Sequence, residues 1–176
     1  MSLLVHPHAV DAKGVALDIT PESAGWTYVG FRVLKLAAGQ THDGFEDGRE
    51  ACLVILSGTV DVSAGALHFP TLGGRASVFE GPATSLYLPA NTAYRITATS
   101  DAEIAVCTAP GTGAGQPRVI APGDVGLETR GSGTNKRFVR NILDDKAEAE
   151  SLLVVEVITP GGHWSSYPPH KHDRDA

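Results

Sequence analysis

"ACLVILSGTVDVSAG", residues 51–65, is an apolar run, a Ser57-Gly58 break and a second run in which Val60 and Val62 alternate with Asp61 and Ser63. Alternation with period two puts successive side chains on opposite faces of an extended chain, so both halves read as strands. The glycine-containing break between them predicts a hairpin. The same texture spreads outward in both directions. In "TYVGFRVLKL" (27–36), Val29, Phe31 and Val33 fall on one face and Tyr28, Gly30 and Arg32 on the other. "TSLYLPANTAYRITATS" (84–100) and "AEIAVCTAP" (102–110) repeat the pattern, bounded by turn signals at Pro89-Ala90-Asn91 and Ser100-Asp101. About eight strand candidates precede residue 121, the spacing of an all-β barrel or sandwich.

Composition narrows the function classes. The 176 residues are 42% hydrophobic and 19% charged, enough for one packed domain and part of another. A formal charge of -6 and scattered basic residues give no footprint for nucleic acid. No run approaches the ~20 apolar residues of a membrane span, and "MSLLVHPHAV" has no basic leader region, so a cytoplasmic protein is expected. Cys52 and Cys107 lie inside apolar runs without metal or redox spacing and read as reduced core residues.

Beyond residue 108 the chain changes character. "APGTGAGQPRVIAPGDVG" (109–126) and "RGSGTNKR" (130–137) are rich in glycine and proline. They predict a first β-domain over 1–125, a linker over 126–136 and the start of a second domain over 137–176. "DDKAEAES" (144–151) is the one helix-like patch, and "LLVVEVITP" (152–160) reads as a strand. That strand leads into "GGHWSSYPPHKHD" (161–173). On an extended chain His170 and His172 project to the same side about 7 Å apart, so both imidazoles can reach one cation at ~2.1 Å. A hydrated polar terminus is the blander reading of the same residues.

The surroundings favour ligation. H-x-H after a glycine-rich turn in an all-β chain resembles the opening of the cupin metal motif, in which two His, a Glu and a later His surround one divalent ion. "GGHWSSYPPHKHD" with the strand before it, and "GREACLVILSGTVDV" (48–62), resemble the 5-deoxy-glucuronate isomerase family of myo-inositol catabolism, whose members are two-cupin proteins. The resemblance implies an all-β cupin fold (double-stranded β-helix, a jelly-roll barrel): a complete N-terminal barrel and the first strands of a second. It implies a divalent ion, zinc or manganese, at His170 and His172, with the remaining Glu and His beyond Ala176. On this reading the chain is a fragment, inactive by itself. Asp173 points to the opposite face of the same strand.

Against the cupin pattern the first barrel lacks ligands. Gly44 stands two residues after His42, Ala51 stands where the Glu belongs, and Tyr94 stands where the last His belongs. It reads as a degenerate cupin without metal that packs against the second barrel. His42 with Glu46 and Glu50 is a minor alternative, and "HDGFEDGRE" (42–50) reads more simply as solvated surface. His6 and His8 imitate the ligand spacing in a terminal loop without a carboxylate nearby. Arg32 and Arg95 could grip a carboxylate if they face inward; exposed strand faces explain them more cheaply.

The implied reaction is an aldose-ketose isomerisation of 5-deoxy-D-glucuronate to 2-deoxy-5-keto-D-gluconate. A divalent ion serves it as a Lewis acid, and a general base is needed that these residues do not reveal. Trp164, Ser165 and Tyr167 are candidates to line the sugar pocket, with core packing the alternative for the aromatics. The expected partner is a small uronate-type sugar. Unpaired strand edges in the unfinished half favour a homo-oligomer or a covering segment of chain. The rival functions are the related uronate ketol-isomerase of pectin breakdown and a non-catalytic sugar-binding cupin.

Overall fold

The computed structural model describes residues 4–165. In chain order the strands are β1 (Val15–Ile19), β2 (Gly30–Leu36), β3 (Thr41–Gly44), β4 (Arg49–Ser57), β5 (Thr59–Ala64), β6 (Leu67–Gly73), β7 (Ser85–Leu88), β8 (Tyr94–Ala98), β9 (Ala102–Pro110), β10 (Arg118–Ile120), β11 (Gly126–Arg130), β12 (Arg137–Leu143) and β13 (Val154–Ile158). One short helix, α1 (Pro21–Ala24), starts at a Thr20–Ser23 capping box and stops at left-handed Gly25. Sheet one runs β1-β2-β9-β4-β7-β10 and sheet two runs β3-β8-β5-β6. All their pairings are antiparallel. The two sheets close around Leu34, Leu53, Ile55, Val60, Val62, Leu86, Ile96 and Ile104, all fully buried. This is the all-β architecture that the alternation predicts, and it is consistent with the cupin fold that the resemblance implies.

The hairpin expected at Ser57-Gly58 does not form. β4 pairs with β9 and β7 in sheet one, whereas β5 pairs with β8 and β6 in sheet two, so Gly58 is a corner at which the chain changes sheets. Its φ of 78° is glycine territory, and a Cβ there would collide with the Asp101 carbonyl. Period two is identical in a hairpin and in a corner, which is why alternation could not tell them apart. In β2 the alternation holds, and the set facing the barrel is Gly30, Arg32, Leu34 and Leu36; Phe31 is 37% exposed on the other face.

The stretch 126–136 expected as a linker carries secondary structure of its own. Gly126–Arg130 is strand β11, and Gly133–Asn135 is a 3-10 turn; β11, β12 and β13 form a third, antiparallel sheet. Glycine and proline mark its turns, while "GLETR" gains its extended form from five paired residues of β12. The stretch 144–151 is not helical: it is a chain of turns linking β12 to β13. Ile142, Leu143, Leu152 and Val154 pack on the back face of sheet one, against Cys52, Val54, Ala83 and Tyr87. Cys52 and Cys107 are free and face each other across β4 and β9. Burial pushes the Cys107 thiol up to about 11 and Cys52 well above its ordinary value.

Two ionic seams fix this third sheet to the barrel. Glu50, expected at a solvated surface, is wholly buried because it shares the back face with Cys52 and Val54. It accepts the Tyr87 hydroxyl at 2.6 Å and the backbone N–H groups of Glu150, Ser151 and Leu152 at 2.9, 2.6 and 2.6 Å. At the other seam Glu156 of β13 accepts both Arg75 (2.7 and 3.0 Å) and Arg140 (2.7 Å). Burial alone would raise the Glu156 carboxyl, but the two guanidinium groups outweigh it and hold the group below the ordinary 4.5. A depressed folded-state value adds stability above the unfolded value and loses it as pH falls through the folded one. The attachment of β13 should therefore hold unchanged down to about pH 4.5 and weaken below it. Amide exchange of residues 154–158 measured between pH 7 and pH 3 checks this, with a Glu156→Gln variant losing the dependence.

Candidate functional site

At the mouth of the first barrel the inward-facing polar residues come from β2, the β3–β4 turn, β4, β8 and β9. A cavity of about 140 Å3 is lined there by Asp18, Arg32, Glu46, Arg49, Val106 and Thr108, among others. Arg32 is the centre of the charge arrangement: its Nε donates to Asp18 at 3.3 Å and its Nη1 to Glu46 at 3.0 Å. Burial alone would lower its pKa, but Glu46 and Asp18 outweigh that and keep the guanidinium charged. The Tyr94 hydroxyl donates to the same Glu46 oxygen at 3.2 Å. Burial and Glu46 together hold the phenol above its usual range, so it stays protonated and a donor. Arg49 is spent on the chain itself, donating to Thr108 and to the Tyr28 carbonyl.

The residues that sequence reasoning grouped as a minor metal set are separated. His42 is buried and its Nδ1 contacts the Lys13 carbonyl at 2.9 Å; its Nε2 has no protein partner among the described residues. Glu46 is committed to Arg32 and Tyr94, and Glu50 points through the sheet to its back face. Ala51 faces the core, and a Cβ on Gly44 would fall inside the Tyr94 ring. The phenol therefore fills the room that an imidazole at 44 would need, and a guanidinium supplies the positive charge between the carboxylates. Among the described residues no three His, Cys, Asp or Glu side chains gather into a metal-holding group.

Replacing Arg32 by Met should lower stability by about 1–3 kcal/mol, since it strands the partly buried Glu46 with one hydroxyl partner. Urea midpoints check this, and Glu46→Gln in the same chain should restore part of the loss.

The other named residues are placed as follows. Trp164 is 59% exposed and its backbone N–H donates to the Thr134 carbonyl at 2.8 Å, while Ser165 is exposed. His163 Nδ1 contacts the Lys136 carbonyl at 2.8 Å, so this turn is fastened to the turn before β12. Tyr167, His170 and His172 lie outside the described residues. Arg95 pairs with Asp43 on the exterior, and His6 and His8 are exposed. Arg32 is the arginine that faces inward, and the Arg32–Glu46–Tyr94 cluster was missed as a unit. Its signal was parity: Arg32 shares a face with Leu34 and Leu36.

The family model described as KduI/IolB matches residues 3–176. The chain belongs to the KduI/IolB family. Among KduI/IolB relatives, the 5-deoxy-glucuronate isomerase of Geobacillus kaustophilus is 50% identical over 177 residues, covering 99% of this chain and 64% of that protein. The 5-deoxy-glucuronate isomerase of Bacillus subtilis is 44% identical over 168 residues, covering 93% of this chain and 62% of its own length. The crystal structure of an IolB-like protein from Salmonella typhimurium superposes with a TM-score of 0.90 at 46% identity, covering 96% of this chain and 64% of that one. The chain thus spans a little under two thirds of the length of these KduI/IolB proteins. Among the described residues no helix is long and apolar enough to cross a membrane.

Proposed function

We propose that this chain works as part of a 5-deoxy-glucuronate isomerase, converting the open-chain aldehyde 5-deoxy-D-glucuronate to 2-deoxy-5-keto-D-gluconate in the cytoplasm. The observation that carries the reading is 50% identity across 99% of the chain to a protein named for that activity. The conversion is redox-neutral overall: a proton leaves the carbon beside the aldehyde and one is delivered to the former aldehyde carbon, while the hydroxyl proton on that neighbouring carbon passes to the aldehyde oxygen, so that the hydroxyl becomes the ketone and the aldehyde becomes the alcohol. His170 and His172 are the residues of this chain that would hold a divalent ion, zinc or manganese, and imidazole suits both. That ion supplies Lewis-acid polarisation of the sugar oxygens.

The first barrel, 1–125, is on this reading a metal-free scaffold. The Gly44–Tyr94 packing and the Arg32 guanidinium between Asp18 and Glu46 support that division of labour. Residues 137–176 then open a second, metal-binding cupin in which Trp164, Ser165 and Tyr167 meet the sugar's hydroxyl and carboxylate groups. Among the described residues the outer edges of β11 and β13 have no strand partner, which favours assembly with further chain or a second copy.

The test is direct. Incubated with 5-deoxy-D-glucuronate, the protein expressed from its complete reading frame should give the ketose, followed by NMR. Absence of conversion with the metal-loaded protein overturns the assignment. Turnover of the pectin-derived uronate alone assigns the sister reaction instead.

A further inference from the structure

The third sheet shares no backbone ladder with either sheet of the barrel among the described residues. It is held by side chains. Ten residues, 144–153, leave β12, reach across to the barrel and return as β13. Along that arm the carboxylates and amides are exchanged in both directions. Glu50 of the barrel receives the N–H groups of residues 150–152. Glu150 of the arm receives the N–H groups of Thr112, Gly113 and Ala114 at 2.7, 2.9 and 3.2 Å, and the Thr112 hydroxyl at 2.6 Å. Ser151 donates its hydroxyl to the Pro110 carbonyl, and Arg118 reaches the Glu148 carbonyl at 2.7 Å. At the far end Arg140 reaches the Val78 and Gly81 carbonyls, and Glu156 grips Arg75.

We propose that residues 126–158 form a unit latched to the first barrel by Glu50, Glu150 and Glu156, which opens as a body while the barrel stays closed. Local opening is set by how few buried contacts and ladder bonds hold a segment. Here the buried larger apolar side chains of the unit are Val139, Ile142, Leu143, Leu152 and Val154, together with the partly buried Ala147 and Ala149. Among the described residues nothing covers its opposite face: Leu127 is 69% exposed, and Phe138, Leu153, Val155 and Val157 are exposed too. The turn at 121–124, closed by Asp124 on the Ala121 amide at 3.1 Å, lies where the unit would swing. Neutralising a latch carboxylate removes acceptors from the seam and nothing from the barrel core. Because β13 leads into the turn at residues 159–165, the state of the latch decides where that turn is held.

Hydrogen exchange read by mass spectrometry on the protein as expressed tests this, comparing wild type with Glu50→Gln, Glu156→Gln and the milder Tyr87→Phe. In Glu50→Gln one oxygen still accepts Ser151 and Leu152, but the amide nitrogen faces the Glu150 N–H donor to donor. Amides of 137–143 and 150–158 should exchange at least about tenfold faster in Glu50→Gln and Glu156→Gln, with 51–56 and 102–109 at the wild-type rate. Tyr87→Phe should give a smaller change with the same distribution. Acceleration of both groups together in every variant that folds would show a single cooperative body and overturn the latch. Unchanged exchange at 150–158 overturns it as well.

Discussion

On the function proposed above, replacing His170 and His172 together by alanine should lower kcat/KM on 5-deoxy-D-glucuronate by at least about a hundredfold and abolish binding of the proposed ion. The magnitude follows from metal sites in general, where loss of a hydrogen-bond partner behind a ligand already costs about 10–100-fold in affinity or activity. Loss of two direct ligands costs no less. Two imidazoles make up half of an ordinary four-ligand metal set, so their joint loss removes half of the proposed coordination. His6 and His8 provide the internal control, having the same spacing in an exposed position. Their double alanine variant should keep both ion and turnover. Native mass spectrometry gives the ion content and the substrate assay gives the rate. An ion retained at full stoichiometry by the His170/His172 variant contradicts the assignment of the ligands.

Glu50→Ala is the substitution with the largest effect on stability, about 3–5 kcal/mol lost from the docking of residues 126–158. Glu50 is 0% exposed, so its carboxylate has no water to fall back on. It answers three consecutive backbone N–H groups and a phenol. Alanine leaves those donors buried without an acceptor, at about 1–3 kcal/mol for each group that water cannot reach. Burial of the larger apolar side chains gives roughly 1.5–3 kcal/mol apiece. Ordering the chain costs about 1–2 kcal/mol per residue. The five larger buried apolar side chains of this unit do not offset that for so long a segment, and the polar seam decides whether it docks. Urea unfolding followed at residues 150–158 by pulsed exchange reads the loss. A shift below 1 kcal/mol would mean that the apolar contacts alone suffice.

The strands were legible in the sequence because a strand covered on both faces reads as an unbroken apolar run, as 51–56 does, and one covered on a single face alternates, as 59–64 and 94–98 do. Which strands pair was not. Gly58 reads as a hairpin break from its neighbours, and only the distant partners β9 and β8 make it a corner. The same limit applied to Glu50. Within "HDGFEDGRE" it looks like one more surface acid, and the residues that satisfy it lie a hundred positions later. Parity with Cys52 and Val54 was the one local clue, because it places Glu50 on the back face of the sheet. Strand β11 within 126–136 was hidden for a related reason: glycines mark the ends of strands as well as gaps between domains. Composition cannot separate those cases when the strand between them is short. In the first barrel the departures at Gly44, Ala51 and Tyr94 were visible position by position. What replaced the ligands, a guanidinium held between two carboxylates, needed the fold to bring β1, β2 and the β3–β4 turn together.

The most direct test of the central claim is a metal titration of the chelator-stripped protein, expressed from its complete reading frame, with ketose formation from 5-deoxy-D-glucuronate as the readout. The account predicts no turnover without metal and a linear return of activity that ends at one zinc or manganese ion per chain. Undiminished turnover in the stripped protein, or activity that no divalent ion restores, would contradict it.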